Sequence, residues 1–282
     1  MHPTMKGLQN AAFAFWNQMR EGESAGIGLA LGGGFARGMA HIGVLRVLER
    51  ERIPIAYIAG VSAGSIVAAG FAGGATSYDL ELVAQSMSFR DVARWSINKL
   101  GLVASNRMEV FLRKSLPVHR FEGMKIPLAV VATDLKSGEP VTFHTRGDIC
   151  SAVRASCSYP GLFQPVRHEG RILVDGAIGM EIPAAALRGL GVRKVLSVAL
   201  PPPPVCADPS SMFAVVNRCF QIMQRRTEQH WREASDWVIT PDVSGVCWDD
   251  FSQVERLVNE GIKATEAMLP QLRRWCVKKT AA

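Results

Sequence analysis

Gly60-Val61-Ser62-Ala63-Gly64 carries the first chemical signal in this chain of 282 residues. A serine between flanking glycines suits a sharp strand-to-helix turn. There the hydroxyl projects as a nucleophile, and the glycines Gly60 and Gly64 permit close backbone approach. The pattern alone is weak, so the surrounding sequence must supply the context. A second cluster, Leu31 to Gly43 (LGGGFARGMAHIG), places Gly32, Gly33 and Gly34 before a helical segment. Consecutive backbone N–H groups and a helix N-terminus there would hold an oxyanion or a phosphate. A dinucleotide site would want an acidic residue where the chain has Gly60 and Val61, and a phosphate-binding P-loop would want Lys-Ser/Thr where it has Met39 and Ala40. An oxyanion hole survives those two comparisons. The third signal is Asp175 in LVDGAIG, at the end of a short apolar strand, where a carboxylate could take a proton from Ser62 or orient a histidine.

The elements that must position these groups are legible around them. Between Arg52 and Asp79 lie 26 residues, Ile53 to Tyr78, without Asp, Glu, Lys or Arg. That length could span a bilayer. The five glycines, the proline and the hydroxyl side chains of the stretch instead fit a buried strand, a tight turn and a buried helix. GIGLALGG followed by a helix at Ala36 to Glu51 forms one strand-turn-helix unit, and IPIAYIAG followed by the helix after GVSAGS forms another. Two such units imply a parallel sheet. Further strands are expected at 127–133, 139–144, 171–175, 194–200 and in DWVITP. Helices are expected at Cys150 to Ser156, from Asp208–Ser211 to about Trp231, and from about Asp250. Residues 1–24 form a leader helix in this reading and carry no secretory signal, because the apolar stretch Ala11 to Trp16 is short and no cleavage pattern follows. Residues 25–275 form one catalytic domain, with a helical cap at 78–125, C-terminal helices at 208–275 and a tail at 276–282. Met212, Phe213, Val216, Phe220 and Met223 fall at helical spacing and are expected in the core.

GGGFARG, GVSAGS and, much later, ASCSYPGLFQPV with DGA together resemble the patatin-like phospholipases. The resemblance is particularly to compact bacterial members related to the patatin domain of neuropathy target esterase. The resemblance covers residues 25 to 275. It implies a three-layer α/β/α sandwich with a mainly parallel sheet, and a Ser-Asp dyad in place of a triad. Ser62 would be the nucleophile, Asp175 the general base, the amides of Gly32, Gly33 and Gly34 the oxyanion hole, and Arg37 a group that positions an anionic head group. Phe35 stands where relatives often carry a small residue, and IGMEIP after DGA lacks the asparagine common in relatives. The implied substrate is a lipid ester of phospholipase A or lysophospholipase type.

Six histidines test the dyad separately. Only His230 follows Asp175, as the chain order of an α/β-hydrolase triad requires, and it lies in a charged helical stretch. His41 reads as a packing residue. A triad esterase and a catalytically weak binding protein on the same fold remain the alternatives. No cofactor or metal is expected: the six cysteines show no metal-type spacing, and their number and spacing fit a reducing cytoplasm. The net charge of +7 does not come with a nucleic-acid-binding motif. Residues 90–125 hold eight Lys/Arg against Asp91, Glu109 and Glu122. With Trp95, Leu100 and Leu102 they are expected to meet an anionic membrane surface from the cytoplasmic side.

Overall fold

A computed structural model describes residues 26–88, 91, 94–98, 101–104, 106–201, 208 and 211–276. The expected leader helix, Pro202 to Pro204, Arg90, Lys99, Leu100 and residues 277–282 lie outside them, as do the side chains of Trp95 and Leu102. The chain opens with β1 (Ile27–Leu31), a 3₁₀ turn at Phe35–Met39 and α1 (Ala40–Arg50), then β2 (Ile55–Val61), α2 (Ala63–Gly73) and α3 (Ser77–Ser86). A hairpin, β3 (Arg94–Asn98) and β4 (Gly101–Ala104), precedes α4 (Asn106–Ser115). Next come β5 (Leu128–Asp134), β6 (Pro140–Phe143), α5 (Ile149–Ser156), β7 (Val166–His168), β8 (Arg171–Asp175) and α6 (Ala184–Gly189). The last elements are β9 (Val195–Val198), α7 (Met212–Glu233), β10 (Trp237–Ile239) and α8 (Val254–Cys276).

The sheet has eight strands in the order β10-β9-β1-β2-β5-β8-β7, with β6 paired to β5. β10, β9, β1, β2 and β5 run parallel, whereas β6, β7 and β8 are antiparallel to their neighbours. Strand alternation sends Ile27, Leu29, Leu31, Ile58 and Val130 into one core with α1, α2, α5 and α8. It sends Ala30, Tyr57, Ala59 and Ala129 into a smaller core with Ile182, Leu187 and Trp231. The central strands are therefore apolar on both faces, which is why their sequences read as runs rather than alternations. The uncharged stretch is β2, the turn at Ser62 and α2. Among the described residues no helix is long and apolar enough to cross a membrane.

Three expectations change. The segment 78–125 is not helical throughout, because Trp95, Ile97 and Val103 fall in β3 and β4, and aromatic and β-branched residues suit strands. Strand β7 and helix α6, both short, have too few residues to show a period. Along α7 the apolar positions are not all core: Phe220 packs against it, but Met212 is 84% exposed and Met223 is 53% exposed. Helical spacing fixes which residues share a face, not what covers that face. Phe213 has no described side chain.

Candidate active site

β2 delivers the chain to Ser62, whose backbone takes φ 51° and ψ −129°, a left-handed value that a non-glycine residue adopts only when its surroundings hold it there. The surroundings do so from several sides. The Ser62 N–H donates to Ser156 Oγ at 2.9 Å, and Ser156 Oγ donates to the Val131 carbonyl at 2.6 Å. Ser65 Oγ donates to the Ser62 carbonyl at 2.6 Å. A Cβ on Gly64 would lie 2.4 Å from the Leu31 carbonyl oxygen, and one on Gly60 would lie 2.4 Å from Ser65 Cα. The two glycines of the motif are thus required by the closeness of the backbone at the turn.

Asp175 ends β8 and is fully buried. Ser62 Oγ donates to Asp175 Oδ2 at 2.7 Å, and the Ala177 N–H donates to Oδ1 at 2.9 Å. Thr133 Oγ1 donates to the Asp175 carbonyl at 3.0 Å, and the Asp175 N–H donates to the Ser158 carbonyl at 2.9 Å, so the backbone is fixed as firmly as the side chain. Burial pushes the carboxyl up to about 7, against the opposing pull of the Ala177 and Ser62 hydrogen bonds. A carboxylate poised near neutrality can both accept and return a proton.

Gly33 and Gly34 line the same pocket as Ser62 and Asp175, and a Cβ on Gly33 would stand 3.3 Å from Ser62 Cβ. Gly32 departs from the oxyanion-hole expectation. Its N–H donates to the Val198 carbonyl at 3.3 Å, continuing the β1–β9 ladder, and its carbonyl lies 2.8 Å from His41 Nε2. His41 is fully buried and burial lowers it to about 4, so the ring is neutral and Nε2 carries the proton it gives to Gly32. Arg37 lines the pocket too, but its guanidinium also reaches backbone carbonyls, Nε donating to Gly34 at 3.4 Å and Nη1 to Pro201 at 3.4 Å. Burial lowers its pKa from the ordinary value.

The pocket is an open cleft whose space of about 570 Å3 includes solvent at its mouth. Its outer wall comes from residues that motif reasoning did not single out: Tyr159, Glu181, Asn217, Gln221, Gln224 and Trp248. Tyr159 Oη donates to Asn217 Oδ1 at 2.7 Å, and burial raises the Glu181 carboxyl, whose Oε2 accepts from Trp231 Nε1 at 3.2 Å. Tyr159 and Ser156 sit inside ASCSYPG, and Glu181 inside IGMEIP, the sequence signals that could have found them. His230 is exposed on α7, and Asp175 has Ser62 and Ala177 as its side-chain partners. Among the described residues no group of three or more His, Cys, Asp or Glu could hold a metal ion.

Residues 29–188 match the family model for patatin-like phospholipase. The chain belongs to the patatin-like phospholipase family. A Mycobacterium bovis protein named as an uncharacterized NTE family protein is 34% identical over 186 residues, 65% of this patatin-like chain and 51% of that protein. Lysophospholipase NTE1 of Mycosarcoma maydis is 31% identical over 183 residues, 61% of this chain and 9% of that much longer protein. The match thus spans about half of the first relative and a small part of the second. The crystal structure of VipD from Legionella pneumophila aligns with a TM-score of 0.57 at 15% identity, covering 87% of this chain and 67% of that one, a likeness of fold. Patatin-like proteins are lipid hydrolases as a family, and Asn217, Gln221, Gln224 and Trp248 of the pocket lie beyond the residues that the family model matches.

Proposed function

We propose that this protein hydrolyses lipid acyl esters, as a phospholipase A or lysophospholipase, through a Ser62–Asp175 dyad. The observation that carries the reading is the 2.7 Å hydrogen bond from Ser62 Oγ to a fully buried carboxylate, both groups lining one pocket. Asp175 takes the Ser62 proton as Oγ forms a bond to the ester carbonyl carbon. The carbonyl oxygen becomes an anion facing the amides of Gly33 and Gly34. Collapse breaks the ester C–O bond, and Asp175 returns the proton to the leaving alcohol. A water then gives its proton to Asp175 and attacks the acyl-Ser62 carbonyl, the acid departs, and the proton returns to Ser62. Arg37 keeps the glycine loop against Pro201 and presents positive charge to an anionic head group.

Residues 25–275 act as one catalytic domain in this reading, because the wall opposite Ser62 comes from the stretch beyond residue 200. Lipid access involves the basic segment 90–125, although Arg113 is paired with Glu109 and Asp148, and Arg120 with Glu122. The direct experiment is labelling with a fluorophosphonate alongside turnover of a panel of phospholipids, lysophospholipids and nitrophenyl esters. Wild type labels and turns over at least one ester, and Ser62→Ala does neither; equal labelling of Ser62→Ala would overturn the assignment. A triad esterase finds no support in the surroundings of Asp175, since His230 is exposed on α7.

A further inference from the structure

A second, apolar cleft, whose space of about 600 Å3 includes solvent at its mouth, is lined by Phe35, which it shares with the catalytic pocket. Its walls include Ile66 on α2, Leu80 and Val83 on α3, Phe111 on α4, and Phe251. Among the described residues no Asp, Glu, Lys, Arg or His lines it, and Ser115 is its one polar side chain. The catalytic pocket is the opposite in character, with Arg37, Asp175, Glu181, Asn217, Gln221 and Gln224 in its wall. Among the described residues the two spaces share one lining residue, Phe35. They also meet at the nucleophile, because Ser62 faces one and its neighbour Ala63 walls the other.

Sites for apolar ligands are concave and lined mainly by hydrophobic and aromatic side chains, which is the character of this cleft. The partition is itself unusual. Phe35 holds φ 52°, a left-handed value that a bulky residue adopts only under constraint. The Ala36 N–H ties the turn to the Trp248 carbonyl at 2.9 Å. The Phe35 ring packs edge-on against Tyr159 at 5.1 Å and Trp248 at 5.0 Å between centroids. A bent ester with its carbonyl at Ser62 thus meets polar groups in one direction and mainly apolar groups in the other.

We propose that this second cleft binds the acyl chain of the substrate, that the chain passes Phe35 to enter it, and that the polar pocket takes the leaving alcohol and its head group. The assignment rests on the hydrolase reading above and specifies how that site would sort its substrate. Each methylene buried there adds on the order of fourfold to kcat/KM until the cleft is full, which is ~0.8 kcal/mol at ~1.4 kcal/mol per tenfold. Long-chain esters are therefore preferred over acetate, and the preference belongs to the residues around Val83.

Two measurements test it. The first is binding of the fluorescent fatty acid cis-parinaric acid to the Ser62→Ala protein, which does not depend on turnover. Adding Val83→Trp, which fills the cleft, weakens binding at least tenfold, the smaller Val83→Met weakens it less, and Leu82→Trp on the exposed side of α3 leaves it unchanged. The second is the ratio of kcat/KM for nitrophenyl hexadecanoate to that for nitrophenyl acetate with Ser62 intact. Val83→Trp lowers this ratio at least tenfold. Phe35→Gly, whose backbone suits φ 52°, raises it by opening the partition. Fatty-acid affinity and chain-length ratio both unmoved by the Val83 variants would overturn the cleft assignment. Absence of any ester turnover, with fatty-acid binding still sensitive to Val83, would retain the cleft and overturn the hydrolase reading instead.

Discussion

Ser62 and Asp175 are separated by 113 positions in sequence, yet Ser62 Oγ donates to Asp175 Oδ2 at 2.7 Å because their strands end against adjacent residues of β5. β2 runs parallel to β5 and its register ends at Val61 opposite Val131. β8 runs antiparallel and ends at Asp175 opposite Ala132. The C-terminal ends of two oppositely directed strands thereby converge on one point of the sheet, where the turn after β2 presents the hydroxyl.

Under the proposed dyad, with Asp175 as the general base, its acidity sets a pH profile. A general base works when ionised, so kcat/KM for a neutral ester rises as pH climbs through about 7 and levels above it. Asp175→Asn removes the proton acceptor and lowers kcat by a factor on the order of 10²–10⁴. A rate profile flat from pH 5 to 9 in wild type would contradict the role.

The same burial has a cost in stability, with the opposite pH sense. An unfolded aspartate ionises near ~4, whereas folded Asp175 ionises near 7, so between those values the folded state holds the extra proton. Its contribution is present below about 4 and is lost as pH rises to about 7. Asp175→Asn is nearly isosteric and avoids the buried charge. Denaturant unfolding should find it more stable than wild type at pH 8, by up to ~4 kcal/mol, with the gap closing toward pH 4. A gap independent of pH would show that Asp175 does not carry this linkage.

His41 holds the Gly32 carbonyl from the buried side. His41→Leu leaves that carbonyl without its partner at a cost of ~1–3 kcal/mol and loosens the glycine loop, lowering kcat more than it raises KM. His41→Gln can again donate to Gly32 and should restore part of kcat. Equal kcat in wild type and in His41→Leu would separate His41 from the loop.

Ser156 bridges the Ser62 N–H and the Val131 carbonyl, tying the reactive turn to β5. Ser156→Ala strands both buried groups, so a loss of ~1–3 kcal/mol in stability is expected, together with a fall in the rate of fluorophosphonate labelling at Ser62. Unchanged labelling in a measurably destabilised Ser156→Ala protein would limit Ser156 to a structural role.

His230 distinguishes dyad from triad in one variant. His230→Ala should keep kcat/KM within about twofold of wild type, because the side chain is exposed on α7 and a surface substitution of this kind is usually within ~0.5 kcal/mol. Loss of turnover on that change, with folding intact, would restore the triad.

Much of this architecture is written locally. Apolar runs that end in glycine gave β1 and β2, and Gly60, Ser62 and Gly64 identified the sharp turn after β2, since each signal lies within a few residues of what it specifies. The hairpin at 94–104, β7 and α6 escaped because each is too short for its period to appear. The outer wall of the pocket escaped for a different reason: Asn217, Gln221 and Gln224 are ordinary polar residues of a helix, and only the position of α7 beside the glycine loop gives them a site to line.

The sequence by itself determined the sharp turn at Ser62, the glycine-rich loop and the apolar strands that carry them, because steric demands on backbone conformation and burial are local. Tertiary structure decided which groups share a site. Strand β8, docked antiparallel beside the end of β2, supplies Asp175. The β1–β9 ladder takes the Gly32 amide and so leaves Gly33 and Gly34 facing the pocket. Hydrogen-bond partners over such separations are set by strand order and register, and no window along the chain encodes those on its own.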